Sequence, residues 1–498
     1  MISAAARPGP AAEMEEDDIM RLKCILICLL AMLTFAQAEE AYVPNSELPM
    51  PKFAKNVAVH DPSIIKADDG YYYIYGSHMA AARSLDLIDW EYISRDATNA
   101  GCTLVENVQT QMKEALSYAR TSTFWAPDVV QLKNGTYAFY YCTCEGSSPL
   151  SMLGLAYADK PEGPYVNQGI LLKSGYSGYN ANYYPNVVDP CTFYDKEGRL
   201  WMVYGSYSGG IFILEMDPMT GYPLEGQKLN GTKLLGGNHA RIEAPYILYS
   251  PDTDYYYMFL SFGGLGANDG YNIRVCRSKN PDGPYVDALG QDMINCKGRN
   301  GTFFNDPDYE PYGVKLMGGY EFMPAEGDVN RFTLAYRSPG HNSAYYDEET
   351  GRYFLVFHTR FANSGESFQV RVHQMYMNAE GWPVVSPLRY AGEMPEKVDA
   401  SLQAGVYKLL LHERDINKKE HESVAVTLNA DGTITGAHTG TWHCEDGMNV
   451  TLTLDDITYI GVMHTALDSA QKTWVTCITA LDETGAALWA TRAYSNYQ

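Results

Sequence analysis

Asp69-Gly-Tyr-Tyr-Tyr-Ile-Tyr-Gly-Ser77 is the stretch that decides the fold. Asp-Gly turns the chain at low cost because glycine accepts positive φ, and the aromatic and β-branched run behind it is strand material. The same device returns as Asn134-Gly-Thr-Tyr-Ala-Phe-Tyr-Tyr-Cys142 and Glu197-Gly-Arg-Leu-Trp-Met-Val-Tyr-Gly-Ser206. Two further copies are Asp252-Thr-Asp-Tyr-Tyr-Tyr-Met-Phe-Leu-Ser261 and Thr350-Gly-Arg-Tyr-Phe-Leu-Val-Phe-His-Thr359. Each follows an apolar strand of its own. Five units of this length describe five similar antiparallel sheets, hence an all-β chain built as a five-bladed β-propeller over residues 45–394. A sandwich or a β-helix would not need them. Pro161-Glu-Gly-Pro-Tyr-Val166 and Pro281-Asp-Gly-Pro-Tyr-Val286 form a second echo behind corresponding strands. The segment from about Ala288 to Arg331 reads as an insertion between the fourth and fifth units.

Beyond Met394 the repeat stops. Residues 400–498 carry alternating strands and the hairpin signals Asp431-Gly432 and Asp446-Gly447, which fits a small β-barrel or sandwich module. At the other end, Met20-Arg-Leu-Lys23, the apolar run Cys24–Phe35 and Ala36-Gln-Ala38 have the order of a signal peptide. Residues 1–38 are therefore read as an extension plus signal peptide, and the mature chain as exported, periplasmic or extracellular. The apolar run is too short to span a bilayer.

The formal net charge of −23 makes the phosphate term of nucleic-acid binding repulsive, so a neutral substrate is easier to reconcile with this chain. Eight cysteines follow residue 38. Most read as buried thiols; Cys444 and Cys477, in one small module, are the pair to test for a disulfide.

Near the start of the inner strand, four of the five units place an acidic residue beside a proline. These are His60-Asp-Pro-Ser63, Trp125-Ala-Pro-Asp128, Val188-Asp-Pro190 and Glu243-Ala-Pro-Tyr246; the fifth unit has Gly340-His-Asn-Ser343. Inner strands of a propeller line its axis, so Asp61, Asp189 and Glu243 are expected to converge at one mouth. One protonated acid and one ionised carboxylate in a concave, aromatic-lined site are what hydrolysis of a glycosidic bond requires. Phe124 and Trp125 stand where an aromatic platform for a sugar ring would be useful. Asn186 and Ser206, near strand ends of the third unit, are candidates to hydrogen-bond sugar hydroxyls. His239, Arg371 and His373 are further candidates to face the channel.

In their order, one per blade, these motifs resemble glycoside hydrolase family 43 and, within it, the endo-α-1,5-L-arabinanases. The resemblance covers about Val57 to Pro387, and the C-terminal module resembles the small β-domain appended to some larger arabinanases. It implies Asp61 as general base, Glu243 as general acid and Asp189 as the residue that orients the acid and raises its pKa. It also implies inversion, with the base and acid carboxyls roughly 6.5–9.5 Å apart. His341 matches the position where arabinanases bind a metal, usually calcium, completed by waters. The implied partner is the plant cell-wall polysaccharide arabinan; the chain is expected to act as a monomer, and its charge argues against a nucleic-acid partner. An exo-acting arabinofuranosidase or β-xylosidase on the same scaffold, and a non-catalytic glycan-binding propeller, are the alternatives.

Overall fold

At the hairpin that opens each repeat, the chain enters the left-handed region: Gly70, Gly135, Gly198, Asp254 and Gly351 have φ of 84°, 87°, 76°, 52° and 68°. These turns let the inner strand of each blade fold back on the tyrosine-rich second strand, with Lys66 facing Tyr72, Gln131 facing Tyr137, Tyr194 facing Leu200, Ser250 facing Tyr255 and Asp347 facing Arg352. The computed structural model describes residues 44–53, 55–146 and 149–493. The signal-peptide reading of residues 1–38 lies outside them. The stretch up to Glu47 is a unit of its own, in which the described residues form a 3₁₀ turn, Asn45–Glu47.

Five antiparallel sheets follow. Their inner strands are Ser63–Lys66, Asp128–Gln131, Cys191–Tyr194, Ile242–Ser250 and Tyr336–Asp347. Each inner strand touches the next and the fifth touches the first, so the ring closes around an axis. The first four sheets have four strands each, all from consecutive chain. Closure therefore exchanges no strand between the first and last blades. Apolar packing does it instead: Val59, Ile64, Ile74 and Ala82 of the first blade share a core with Phe354, Val356, Val370 and Val372 of the fifth.

The second echo is structural too. Tyr165 and Tyr285 donate their hydroxyls to the carbonyls of Pro161 and Pro281, each at 2.9 Å, which clasps the connection to the outermost strand. In the fourth blade that outermost strand is Val314–Met317. The expected insertion at 288–331 is thus not placed between blades. Its first half lies inside the fourth blade, between Asn272–Ser278 and Val314–Met317, and only the remainder leads to the fifth.

The C-terminal strands from Gly405–Leu411 to Ala487–Arg492 form a closed eight-stranded barrel, which resolves barrel against sandwich. It shares a core with the fourth and fifth blades, where Leu410, Val462, Leu481 and Trp489 pack with Tyr257, Val314 and Tyr320. His421–Glu422 also pairs in parallel with Tyr320–Glu321 at the edge of the fifth sheet. The Cys444–Cys477 pairing is not formed: all eight cysteines among the described residues are free thiols, and seven are buried.

Candidate active site

Near the end of the second strand of each blade, a residue ties down the chain at the head of an inner strand. Ser77 donates to Asp61 Oδ2, Cys142 Sγ to the Ala126 carbonyl, Ser206 to Glu243 Oε2, and Thr359 to the Arg337 carbonyl; Ser261 Oγ accepts from the His341 amide. The heads of the inner strands are strained. Asp61, Asp189 and Ala244 each precede a proline, a position that favours extended backbone, yet have φ of 57°, 56° and 56°. Such conformations cost about 1–3 kcal/mol each and persist where the surroundings over-determine them.

The result is a cavity of about 160 Å³ at one end of the axis, lined by His60, Asp61, Ser77, His78, Trp125, Ala126, Asp189, Glu243, Leu265 and His341. The three expected carboxylates therefore meet, together with Trp125 and His341. Their environments differ. Burial would raise the Asp61 carboxyl, but His341 and His60 hold it well below the usual carboxylate range. Their Nδ1 atoms lie 3.0 and 2.8 Å from Asp61 Oδ1. Behind them, His358 Nδ1 approaches the Asp61 amide at 3.2 Å, and Arg360 reaches the Nε2 atoms of His358 and His60 at 3.4 Å.

Glu243 is placed the opposite way. Burial is the largest influence and raises its carboxyl, although His341 and the hydroxyls of Tyr271 and Ser206 pull it down. Tyr271 donates to Oε1 and Ser206 to Oε2, each at 2.7 Å. Asp189, buried beside the other two carboxyls, is pushed up to about 8 and accepts from the Ala244 amide at 3.3 Å. The pocket thus pairs an ionised carboxylate with two carboxyls that favour their protons, the division acid–base hydrolysis needs.

Other expectations change. Phe124 is not a platform: it is 1% exposed, in the core of the first two blades and edge-on to Tyr141. Ser206 donates its hydroxyl hydrogen to the acid. Asn186 is buried outside the pocket wall with Oδ1 accepting from Cys144 Sγ at 3.8 Å. Arg371 lies over the rings of Tyr336 and Phe361, and His373 bonds the Ser386 carbonyl; neither lines the catalytic pocket. His239 stacks on Phe303 at 3.9 Å, outside the pocket wall. Asp128, from the fourth acidic motif, is a clasp between blades, accepting from Ser63 of the first blade and from the Thr192 amide and hydroxyl of the third.

The sequence reading missed His60, His78, Tyr271, His358 and Arg360. His60 stood inside a quoted motif, and His358 closes the fifth repeat; Tyr271 and Arg360 carried no signal of their own.

The residues around His341 fit a cation. Its Nδ1 is taken by Asp61, its Nε2 has no protein partner among the described residues, and three carboxyls surround it. Burial pulls the imidazole down, yet Asp61, Asp189 and Glu243 push it up to about 9, so positive charge is favoured beside Asp61, as a proton on His341 or as a cation in its place. The cluster His60–Asp61–His358 also brings potential metal ligands together, but the Arg360 guanidinium at its back disfavours a cation.

The family description "Glycosyl hydrolases family 43" matches residues 54–307, and "C-terminal lipocalin-like domain" matches residues 387–490. The chain is 50% identical over 473 residues to the extracellular endo-α-(1→5)-L-arabinanase 2 of Bacillus subtilis, covering 94% of this chain and 98% of that protein. It is 44% identical over 489 residues to the extracellular endo-α-(1→5)-L-arabinanase of Thermotoga petrophila, covering 95% and 99%. The crystal structure of an endo-1,5-α-L-arabinanase from Thermotoga petrophila superposes with a TM-score of 0.83 at 45% identity, covering 88% of this chain and 99% of that one.

Proposed function

The chain belongs to glycosyl hydrolase family 43, and on that premise we propose that it is an exported, inverting endo-arabinanase that cuts α-1,5-L-arabinofuranosidic bonds within arabinan. The observation that carries this reading is the opposed setting of two carboxyls in one pocket: Asp61 held ionised by histidines, Glu243 held towards its acid form by burial. The near full-length identity to two arabinanases supports arabinan as the substrate.

In the proposed reaction Glu243 gives its proton to the glycosidic oxygen as the bond to the anomeric carbon breaks. A water attacks that carbon from the opposite face and yields its proton to Asp61. Asp189, which accepts from the amide of Ala244 next to the acid, holds the Glu243 segment in position, and Trp125 offers a flat wall to the sugar. His341 would hold a calcium ion, completed by waters, whose positive charge would offset the buried Asp61 carboxylate. Both relatives are named extracellular. That agrees with reading residues 1–38 as extension plus signal peptide, and no helix among the described residues is long and apolar enough to cross a membrane. We read the working form as a monomer without a nucleic-acid partner.

The test is product analysis on linear, debranched arabinan, with arabinoxylan and 4-nitrophenyl pentosides alongside. An early ladder of arabino-oligosaccharides is expected. Free arabinose alone, or xylose from the xyloside, would move the activity to an exo enzyme, and no product at all would leave a glycan-binding propeller. Chelation tests the metal: activity should fall and return with calcium, and full activity in demonstrably metal-free protein would remove it.

A further inference from the structure

Beside the acid, the protein spends two large aromatic side chains on open surface. Phe303 is 66% and Phe304 50% exposed, on the part of the chain inserted within the fourth blade. The two rings meet at 5.4 Å; His239 stacks on Phe303 at 3.9 Å and 15°, and Tyr207 meets Phe304 edge-on at 5.5 Å. Together they make a ledge of four rings.

Tyr207 ties the ledge to the strand ends that carry the catalytic pocket. Tyr207 follows Ser206, the donor to Glu243 Oε2, and its amide bonds the carbonyl of Ile242, the residue before the acid. Its hydroxyl bonds the Gly263 carbonyl, two residues from Leu265 in the pocket wall.

The ledge is also held rigidly, at a cost. Tyr207, Ser208, Asn238, His239 and Phe304 have φ of 48°, 30°, 50°, 56° and 54°, five left-handed non-glycine residues in adjoining turns. Strain of this kind collects at functional sites. Backbone amides of Phe304, His239 and Gly298 donate hydrogen bonds to the carbonyls of His239, Ser208 and Gly237, while Asn238 Nδ2 donates to the Gly298 carbonyl at 2.8 Å. Arg241 grips Asp306 with Nε and Nη2, and Tyr309 donates to the same carboxylate. An exposed loop without a function has no use for such bracing around solvent-facing rings.

We propose that this ledge is a binding subsite for the leaving-group side of the arabinan chain, with Phe303 and Phe304 packing against arabinofuranosyl residues beyond the bond being cut. The proposal rests on the arabinan-cleaving reading above. The geometry sets the side: Glu243 protonates the leaving oxygen, so the sugars attached to that oxygen continue from the acid, where Tyr207 begins the ledge. The chemistry sets the ligand class. A neutral pentose offers C–H faces that pack on aromatic rings, and none of the four rings asks for charge.

The experiment uses the full chain and arabino-oligosaccharides of three to seven residues tagged at the reducing end. The tag reports how many residues lie on the leaving side of each cut. Wild type is compared with Phe303→Ala, Phe303→Trp and Phe304→Leu, with Tm measured for each. Phe303→Ala should keep its Tm, lose about threefold to tenfold in kcat/KM on the hexamer through KM, and change little on the trimer. Its cut should move towards the tagged end, and Phe303→Trp should restore the wild-type pattern. Phe304→Leu, which keeps an apolar side chain at a left-handed position, should show a smaller shift in the same direction. An unchanged cutting pattern, or a shift away from the tagged end, would overturn the subsite, as would a change in self-association without a change in cutting. Failure of wild type to cut any of these oligosaccharides would instead remove the arabinanase reading itself.

Discussion

Tyr271 donates its hydroxyl to Glu243 Oε1 at 2.7 Å from within the same blade, and its ring occupies the space that a side chain on Gly340 of the next blade would fill. The catalytic acid is therefore tuned by a residue whose position depends on a glycine 69 positions further along the chain. The donated hydrogen bond favours the ionised form of Glu243 and opposes the larger effect of burial, which favours the acid form.

That balance has a sign. Tyr271→Phe removes a bond that lowers the Glu243 pKa, so the folded carboxyl should titrate higher and the alkaline limb of the activity profile should move up in pH. The acid limb, set by Asp61 well below the usual range, should stay where it is. At the optimum kcat should fall about fivefold, since one hydrogen bond contributes about 1 kcal/mol. A pH–rate profile on arabinan checks both limbs, and an alkaline limb that moves down would contradict the assignment of Glu243 as the acid.

Gly340→Ala attacks the same contact from the other side. The new Cβ would lie 2.0 Å from Cδ1 of the Tyr271 ring, so the ring must leave the acid. Loss of activity should at least equal that of Tyr271→Phe, with destabilisation of about 1–3 kcal/mol from overpacking. Because both changes act through one ring, Gly340→Ala should add little once Tyr271 is alanine. A double-mutant cycle measures this, and full additivity would uncouple the two positions.

Removing either carboxyl should stop the chemistry without unfolding the protein. Asp61→Asn and Glu243→Gln should each lower kcat by two to four orders of magnitude or about that range, with binding of arabino-oligosaccharides retained. Steady-state kinetics alongside titration calorimetry separates the two effects. Near wild-type turnover in either variant would remove that residue from the mechanism.

What could be read from the residues alone follows from how each one is held. Asp61, Asp189 and Glu243 were legible because each heads an inner strand within two residues of a proline, and inner strands of a closed ring must converge. Phe124 and Trp125 could not be separated that way. They are neighbours in an extended segment whose side chains alternate, so one enters the core and the other the pocket. Asp128 shared the proline signature but stands after the proline, which turns it between blades and away from the catalytic cavity. Tyr271 and Arg360 reach the site only through the packing of one strand on the next, and no local motif encodes that. The fourth blade misled for a related reason. Its outermost strand, Val314–Met317, is separated from the strand it pairs with by the whole ledge-bearing excursion, so a reading based on the repeat ended the blade too early.

Asp128 gives a last prediction, about stability and not catalysis. Its buried carboxylate accepts from the Ser63 hydroxyl and from the amide and hydroxyl of Thr192, joining three inner strands next to the axis. Burial raises this carboxyl from 3.8 to about 6, although those donors pull it down. A folded-state value above the unfolded one means that the folded protein binds the proton more tightly. The group's contribution is then fully present below pH 3.8 and is lost as pH rises through about 6. Asp128→Asn should abolish that slope. It also turns an amide NH₂ towards groups that themselves donate, which should destabilise the fold by about 1–3 kcal/mol at neutral pH. Thermal unfolding of both proteins between pH 4 and 7 checks this. The difference in Tm should widen towards low pH, where wild type gains from protonation and the variant does not, and a constant difference would mean that Asp128 does not titrate in that window.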